Sequence, residues 1–279
     1  MAGDMFERML EKANQRVLND PEMAVEFYSR AIDRATRKHG PGSPQVLNLR
    51  QDRAVALHRN GESEKAEVEL ARLIAQRELT ASSDDHAVRH AKEWHSRVLF
   101  DLGRFDEAEL ELRRLSEELD RLLGTDDQEA VEVHENHAAT LAKLDRMQEA
   151  ETEMAGVVAK RTAVKGADDV VTLRARASRA VFLDALGRIE ESATAWRELA
   201  ESQARVHGAS HPDAILARSR YAHALYEQRR LREAAAEYRE VEALRAATLG
   251  ADHPDTGRAQ DWLLVINREL EGPDQAGPV

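Results

Sequence analysis

The sequence predicts an all-α fold, a right-handed α-solenoid of stacked antiparallel helix pairs. Ala24, Ala66, Ala108, Ala150 and Ala234 lie on one series with a step of 42 residues, and Ser192 fills the remaining term. Leu57, Leu99, Leu141, Leu183 and Leu225 keep the same step, as do Gly40, Gly124, Gly166, Gly208 and Gly250, with Ser82 in the gap. Three residue types on one period are the mark of a stacked repeat array. Within each period apolar residues return at i, i+4, i+7 and i+8, the stripe of an amphipathic helix. No stretch alternates with period 2, so no strands are expected.

The elements follow in order. A first helix over 4–18 carries Met5, Phe6, Met9, Leu10, Ala13 and Val17 on one face. First helices are then expected near 44–60, 86–102, 127–144, 169–186 and 211–228. Second helices are expected near 21–39, 62–80, 104–123, 146–165, 188–207 and 230–249. Their stripes include Ala66, Leu70, Leu73, Ile74 and Ala234, Tyr238, Val241. Each second helix stops at the periodic glycine, read as a left-handed residue just past the helix end. Loops such as Ala251-Asp252-His253-Pro254-Asp255 then start a helix with a small polar cap, a first-turn proline and an acid. A thirteenth helix over 253–271 caps the stack. The units run 4–40, 44–82, 86–124, 127–166, 169–208 and 211–250. Residues 1–271 form one domain, and 272–279 is a Gly/Pro-rich disordered tail.

Composition narrows the function. The formal net charge is −12, which argues against nucleic acid or an anionic membrane as partner. There is no cysteine, so disulfides, zinc thiolates and cysteine nucleophiles are excluded, and a cytoplasmic setting is expected. Met1 to Leu10 lacks the basic start and apolar run of a signal peptide. The longest run of large apolar side chains, Trp262 to Ile266, is far short of the ~20 residues that span a bilayer. No Gly-x-Ser-x-Gly elbow, phosphate-binding loop or dinucleotide fingerprint is present, so the chain is read as no enzyme and as needing no cofactor.

The internal spacing separates this array from other repeats of similar length. Ala54 and Leu57 precede Ala66 and Leu70, and Ala222 and Leu225 precede Ala234 and Tyr238. The pattern resembles the long, kinesin-light-chain-type tetratricopeptide repeat of bacterial proteins. Its Gly-x-x-His-Pro-Asp-Thr loop appears at 250–256 and less completely at 208–214. Its Leu-Gly-Arg-x-x-Glu-Ala turn appears at 102–108, and at 186–192 with Ser192 in the last place. The resemblance covers about residues 20–270. It implies binding of a peptide or protein along the concave, first-helix side.

The chain departs from that family before the small residue of the first helix. Leucine is usual there; this chain has Arg53, His95, His137, Arg179 and Tyr221. Three residues earlier stand Arg50, Lys92, His134, Arg176 and Arg218, on the same helical face. Stacked units turn these into two adjacent cationic columns. One reading makes the columns internal, with heads paired to Glu69, Glu111 and Glu153. The other makes them a partner-binding stripe, joined in the groove by Trp94, Arg97, Asn136, Arg174 and Arg220.

His95, His134 and His137 also raise a metal reading. His134-Glu135-Asn136-His137 is one residue short of the i, i+4 zinc motif, and column positions held elsewhere by arginine or lysine call for a cation, so no metal site is assigned. Trp262, Leu263, Val265 and Ile266 cover most of the last helix and are read as a candidate homodimer contact.

These observations predict a non-catalytic scaffold or adaptor whose groove holds a protein or peptide. An acidic or C-terminal segment is the first candidate if the cationic columns are accessible. The alternative is a regulatory sensor for a peptide or small ligand that acts on a separate protein. A metal-dependent enzyme at the histidine cluster is the remote reading.

Overall fold

The computed structural model describes residues 20–79 and 85–271. Among these residues are twelve helices and no strand. They are α1 (Pro21–His39), α2 (Pro44–Arg59), α3 (Ser63–Glu78), α4 (His86–Asp101), α5 (Phe105–Leu122) and α6 (Gln128–Lys143). There follow α7 (Met147–Lys165), α8 (Val170–Ala185), α9 (Ile189–His207), α10 (Pro212–Glu227), α11 (Leu231–Leu249) and α12 (Pro254–Glu271). The helix expected at 4–18 and the tail at 272–279 lie outside the described residues.

The helices fall into two compact units, Met1–Leu144 and Asp145–Val279. In the first unit, each helix from α1 to α6 packs on the next, and the first helices also touch one another, α2 with α4 and α4 with α6. In the second unit, each helix from α7 to α12 packs on the next. Small residues make this close approach sterically open. Ala24, Ala66, Ala108, Ala150 and Ala234 are all fully buried, and Leu57 to Leu225 of the leucine series are buried beside them. Ser192, which breaks the alanine series, is also buried, and its hydroxyl donates to Asp184. A lone hydroxyl there would cost more than a methyl gains, so the acid is what makes the exchange tolerable.

Two glycine series terminate the helices. Gly40, Gly166, Gly208 and Gly250 end second helices with φ between 85° and 104° and ψ between 150° and 160°. The positive φ was expected, but ψ is extended rather than left-handed helical. That region is essentially closed to residues with a Cβ. A further series, Gly61, Gly103, Asp145, Gly187 and Arg229, turns the chain between the two helices of a pair with φ from 61° to 83°. Asp145 and Arg229 hold that left-handed position without being glycine.

The helix starts correct one expectation. The caps are not small polar residues throughout. Asp85, Asp127 and Asp169 accept from the N–H two residues on at 2.7, 2.8 and 3.0 Å. At the equivalent places in the later repeats, His211 and His253 accept through Nδ1 at 3.3 and 3.2 Å. An imidazole does this only when neutral with its proton on Nε2. Second helices begin differently, at Arg104, Arg146, Arg188 and Arg230, each forked onto the glutamate three residues later. In the first described repeat the signs are exchanged, with Glu62 facing Lys65.

A buried arginine ties successive repeats. Near the end of α3, Arg77 donates to the Ala87 carbonyl at the start of α4 and to Gln51 and Asn48 of α2. Arg161 donates to the Val171 carbonyl and Arg245 to the Asp255 carbonyl in the same way, each ten residues on. These three arginines are two repeat lengths apart. Leu119 and Gln203, both buried, hold the places between them.

Candidate partner-binding surface

The two cationic columns are largely consumed within the protein. In the inner column, Arg53 of α2 forks onto Glu69 of α3 at 3.1 and 2.7 Å. His95 of α4 lies between Glu111 of α5, at 2.8 Å, and Glu67 of α3, at 3.7 Å. His137 of α6 faces Glu109 of α5 at 3.6 Å, and Arg179 of α8 meets Glu151 of α7 at 2.8 Å. Two sources of acid therefore serve this column: the second helix of the same repeat and that of the repeat before.

The outer column is paired too. Lys92 meets Glu78 at 2.8 Å, His134 meets Asp120 at 3.1 Å, and Arg218 meets Glu237 at 2.6 Å. Arg176 donates to Ser202 at 3.1 Å and lies 3.6 Å from Glu198. Arg50 donates to Gln76 at 2.9 Å and lies 3.7 Å from Glu69 Oε1, the oxygen that Arg53 takes at 2.7 Å. The three histidines thus address different acids and share no site. Among the described residues, no group of three or more histidines and acids is placed to hold a metal ion.

Other first-helix residues stay open. Trp94 is half-buried, with its indole N–H donating to His90 at 3.1 Å. The Arg97 guanidinium lies 4.9 Å from its ring centre and that of Arg59 lies 6.0 Å away. Arg97, Arg174 and Arg220 are exposed, and Asn136 is half-buried. In the second unit Trp262 occupies the same repeat position as Trp94 but a different setting. It stacks on Tyr238 at 5.8 Å and 12°, with Tyr226 at 5.1 Å and His223 at 4.9 Å.

The last helix corrects the expected dimer contact in part. Leu263 and Ile266 are 9% and 0% exposed, packed with Tyr238, Val241 and Ala259 in the core of their own unit, so they cannot offer a contact. Only Leu264 and Val265 of that run face outward, 67% and 43% exposed. An i, i+3 pair fills the stripe toward α11, and the remaining residues turn away from it.

The electrostatics give a pH dependence. Burial alone would lower the His95 pKa, but the hydrogen bond and charge of Glu111, with Glu67, hold it above the usual imidazole value. Burial pushes Asp52 up to about 6 despite Arg77 nearby. Burial also raises Glu93, against Arg97 and with help from Glu132 and Glu129. In all three the folded state binds protons more tightly than the unfolded chain. Stability from His95 is therefore full below the unfolded value of about 6.5 and is lost as pH rises through the folded value; Asp52 acts in the same direction from about pH 4 to above 6. The carboxyls held low by arginine or lysine, such as Glu107 and Glu191, act only in acid. Burial lowers the His90 pKa, which works the other way over the same range, so the variant carries the test: in urea unfolding Asp52→Asn is expected to lose less free energy than the native chain between pH 6 and pH 8.

Residues 172–213 and 217–255 match the family described as tetratricopeptide repeat. These two segments are tetratricopeptide repeats. The helix pairs outside those two segments repeat the same positions, and solved structures agree over a wider span. Nearly identical TPR-like repeats of a kinesin light chain from Podosopora anserina align with a TM-score of 0.67 at 19% identity, over 74% of this chain and 98% of that one. BtubC (BKLC) from P. vanneervenii aligns with a TM-score of 0.66 at 13% identity, over 89% of this chain and 94% of that one. A tetratricopeptide repeat protein from Parabacteroides merdae covers 95% of this chain and 94% of its own, with a TM-score of 0.56 at 17% identity. At these identities the likeness is one of fold. Among proteins with curated descriptions, none is detectably similar in sequence. No described helix is long and apolar enough to cross a membrane.

Proposed function

We propose that this chain is a non-catalytic scaffold or adaptor, acting in the cytoplasm, that holds a peptide or protein segment against the first-helix side of its repeats. The supporting observation is Trp94. An aromatic ring flanked by two guanidinium groups and fixed by a hydrogen bond to His90 offers a partner a rigid anchor with cationic edges. Because the helix stack already fixes these side chains, little ordering cost falls on this protein when a segment binds. The histidine and arginine columns contribute by holding the helices in place, since most of their charge is already met.

Co-purification from source-cell lysate at low and high salt tests this. The native chain is expected to retain a partner that a folded Trp94→Ala/Arg97→Ala variant loses by about tenfold or more. Equal retention by a variant of unchanged circular dichroism would remove the Trp94 face from the reading. No retained partner in either would remove the adaptor role.

A further inference from the structure

One position of the second helix marks two places where the repeat packing opens. Glu67, Glu109 and Glu151 occupy it in three repeats, and each reaches forward to the inner-column cation of the next repeat. The same position is Val25 in α1 and Ala193 in α9. Both exchanges leave a cavity. Between α1, α2 and α3 it measures about 600 Å³ and has Val25, Leu57 and Val68 in its lining. Beside Ala193 it measures about 290 Å³, lined also by Arg197 and Tyr221. The wedge that a glutamate fills elsewhere is open in these two places.

A second position adds a cation to the first wedge. Glu198 and Glu240 hold it beside Arg176 and Arg218, Arg114 and Gly156 hold it in the two repeats before those, and Arg72 holds it beside Arg50. Arg72 is exposed and has no ion pair among the described residues. Glu69 must therefore serve both Arg53 and Arg50. The lining holds Arg50, Arg53 and Arg72 against Glu64 and Glu69, with Lys65 already met by Glu62, a cationic surplus of one in a chain of net charge −12.

We infer that this wedge is a binding site for an acidic partner segment, with one carboxylate standing in for the glutamate that Val25 replaces and another meeting Arg72, while an adjacent apolar side chain covers Val25, Leu57 and Val68. The volume suits a few side chains, and complementary charge in a part-buried setting discriminates strongly against neutral segments. The site is separate from the Trp94 face. It rests on the reading of the chain as a binding scaffold but not on where that face binds.

The test is an NMR titration of the arginine Nε–H signals with the capped tripeptide Glu-Leu-Glu. Arg53 is assigned by Arg53→Lys, and the Trp94 indole is followed in the same spectra. A saturable Arg53 shift is expected with the acidic peptide and none with Gln-Leu-Gln. Val25→Glu restores the missing carboxylate in cis and is expected to weaken the response about tenfold or more. Arg72→Glu, at an exposed position where folding is not at stake, is expected to do the same. No saturable shift, an equal response to the neutral peptide, or unchanged binding by folded variants overturns the proposal. So does an equal response to inorganic phosphate, which would make the wedge a site for a free anion. A failure of the Trp94 variants in co-purification leaves this result untouched, so the two readings fail separately.

Discussion

Tyr238→Ala is expected to lower the unfolding free energy of the second unit by about 3–5 kcal/mol, the usual cost of deleting a buried aromatic. Tyr238 is 2% exposed, and it supports α12 by stacking on Trp262. Without the ring, Trp262 loses its flat partner and α12 loses much of what it packs on. Trp262 fluorescence during denaturant unfolding reports the change where it occurs. Tyr238→Phe is the control. Among the described residues no hydrogen bond depends on that hydroxyl, so the phenylalanine variant should stay within about 1 kcal/mol of the native chain. A similar large loss in both variants would mean that the hydroxyl, and not the ring, holds α12.

Arg77→Met is expected to cost about 2–4 kcal/mol, because a buried guanidinium leaves several acceptors behind. Arg77 is 4% exposed and serves the Ala87 carbonyl, Gln51 and Asn48 at once. It also opposes the upward push of burial on Asp52. Its loss should therefore raise the Asp52 pKa further and steepen the fall in stability above pH 6. Arg245→Met removes a half-buried donor to a single carbonyl at 2.8 Å, and should cost only about 1 kcal/mol. Chemical denaturation of both variants at two pH values separates the network effect from simple loss of one bond.

The arrangement of helices was legible because its cause is local. The 42-residue step and the helical stripe fix where each helix runs, and glycine with positive φ fixes where it ends. The observed boundaries lie within two residues of those expected. The pairing of the cationic columns was legible only in part. Glu69 and Glu111 take the partners expected from their own repeat, and His137 and Arg179 also meet Glu109 and Glu151 of the helix before, which was not expected. Contact with the preceding helix depends on side-chain reach between helices, which spacing along one helix does not encode. The arginine ties at 77, 161 and 245 are written in the sequence as one residue type at twice the repeat length, a period that the 42-residue step hides. Trp94 and Trp262 show the remaining limit. They share a repeat position, yet one ring lies among guanidinium groups and the other among aromatic rings, because Leu70 precedes the first where Tyr238 precedes the second.

The alternation of acid and cation from repeat to repeat also bears on how such a chain avoids misassembly. Its apolar stripes are nearly interchangeable, so packing alone would let one helix pair dock beside the wrong neighbour or be exchanged between molecules, a known failure of repeat proteins. The polar columns are not interchangeable. The helix carrying Val25 offers nothing to Arg179, and Glu151 placed against Tyr221 would lose its partner. The junctions at Val25 and Tyr221 are thus set apart from the three that pair glutamate with a cation, by charge on a surface otherwise built from alanine and leucine. The order of the repeats is then enforced by what the wrong order would strand, more than by what the right order gains.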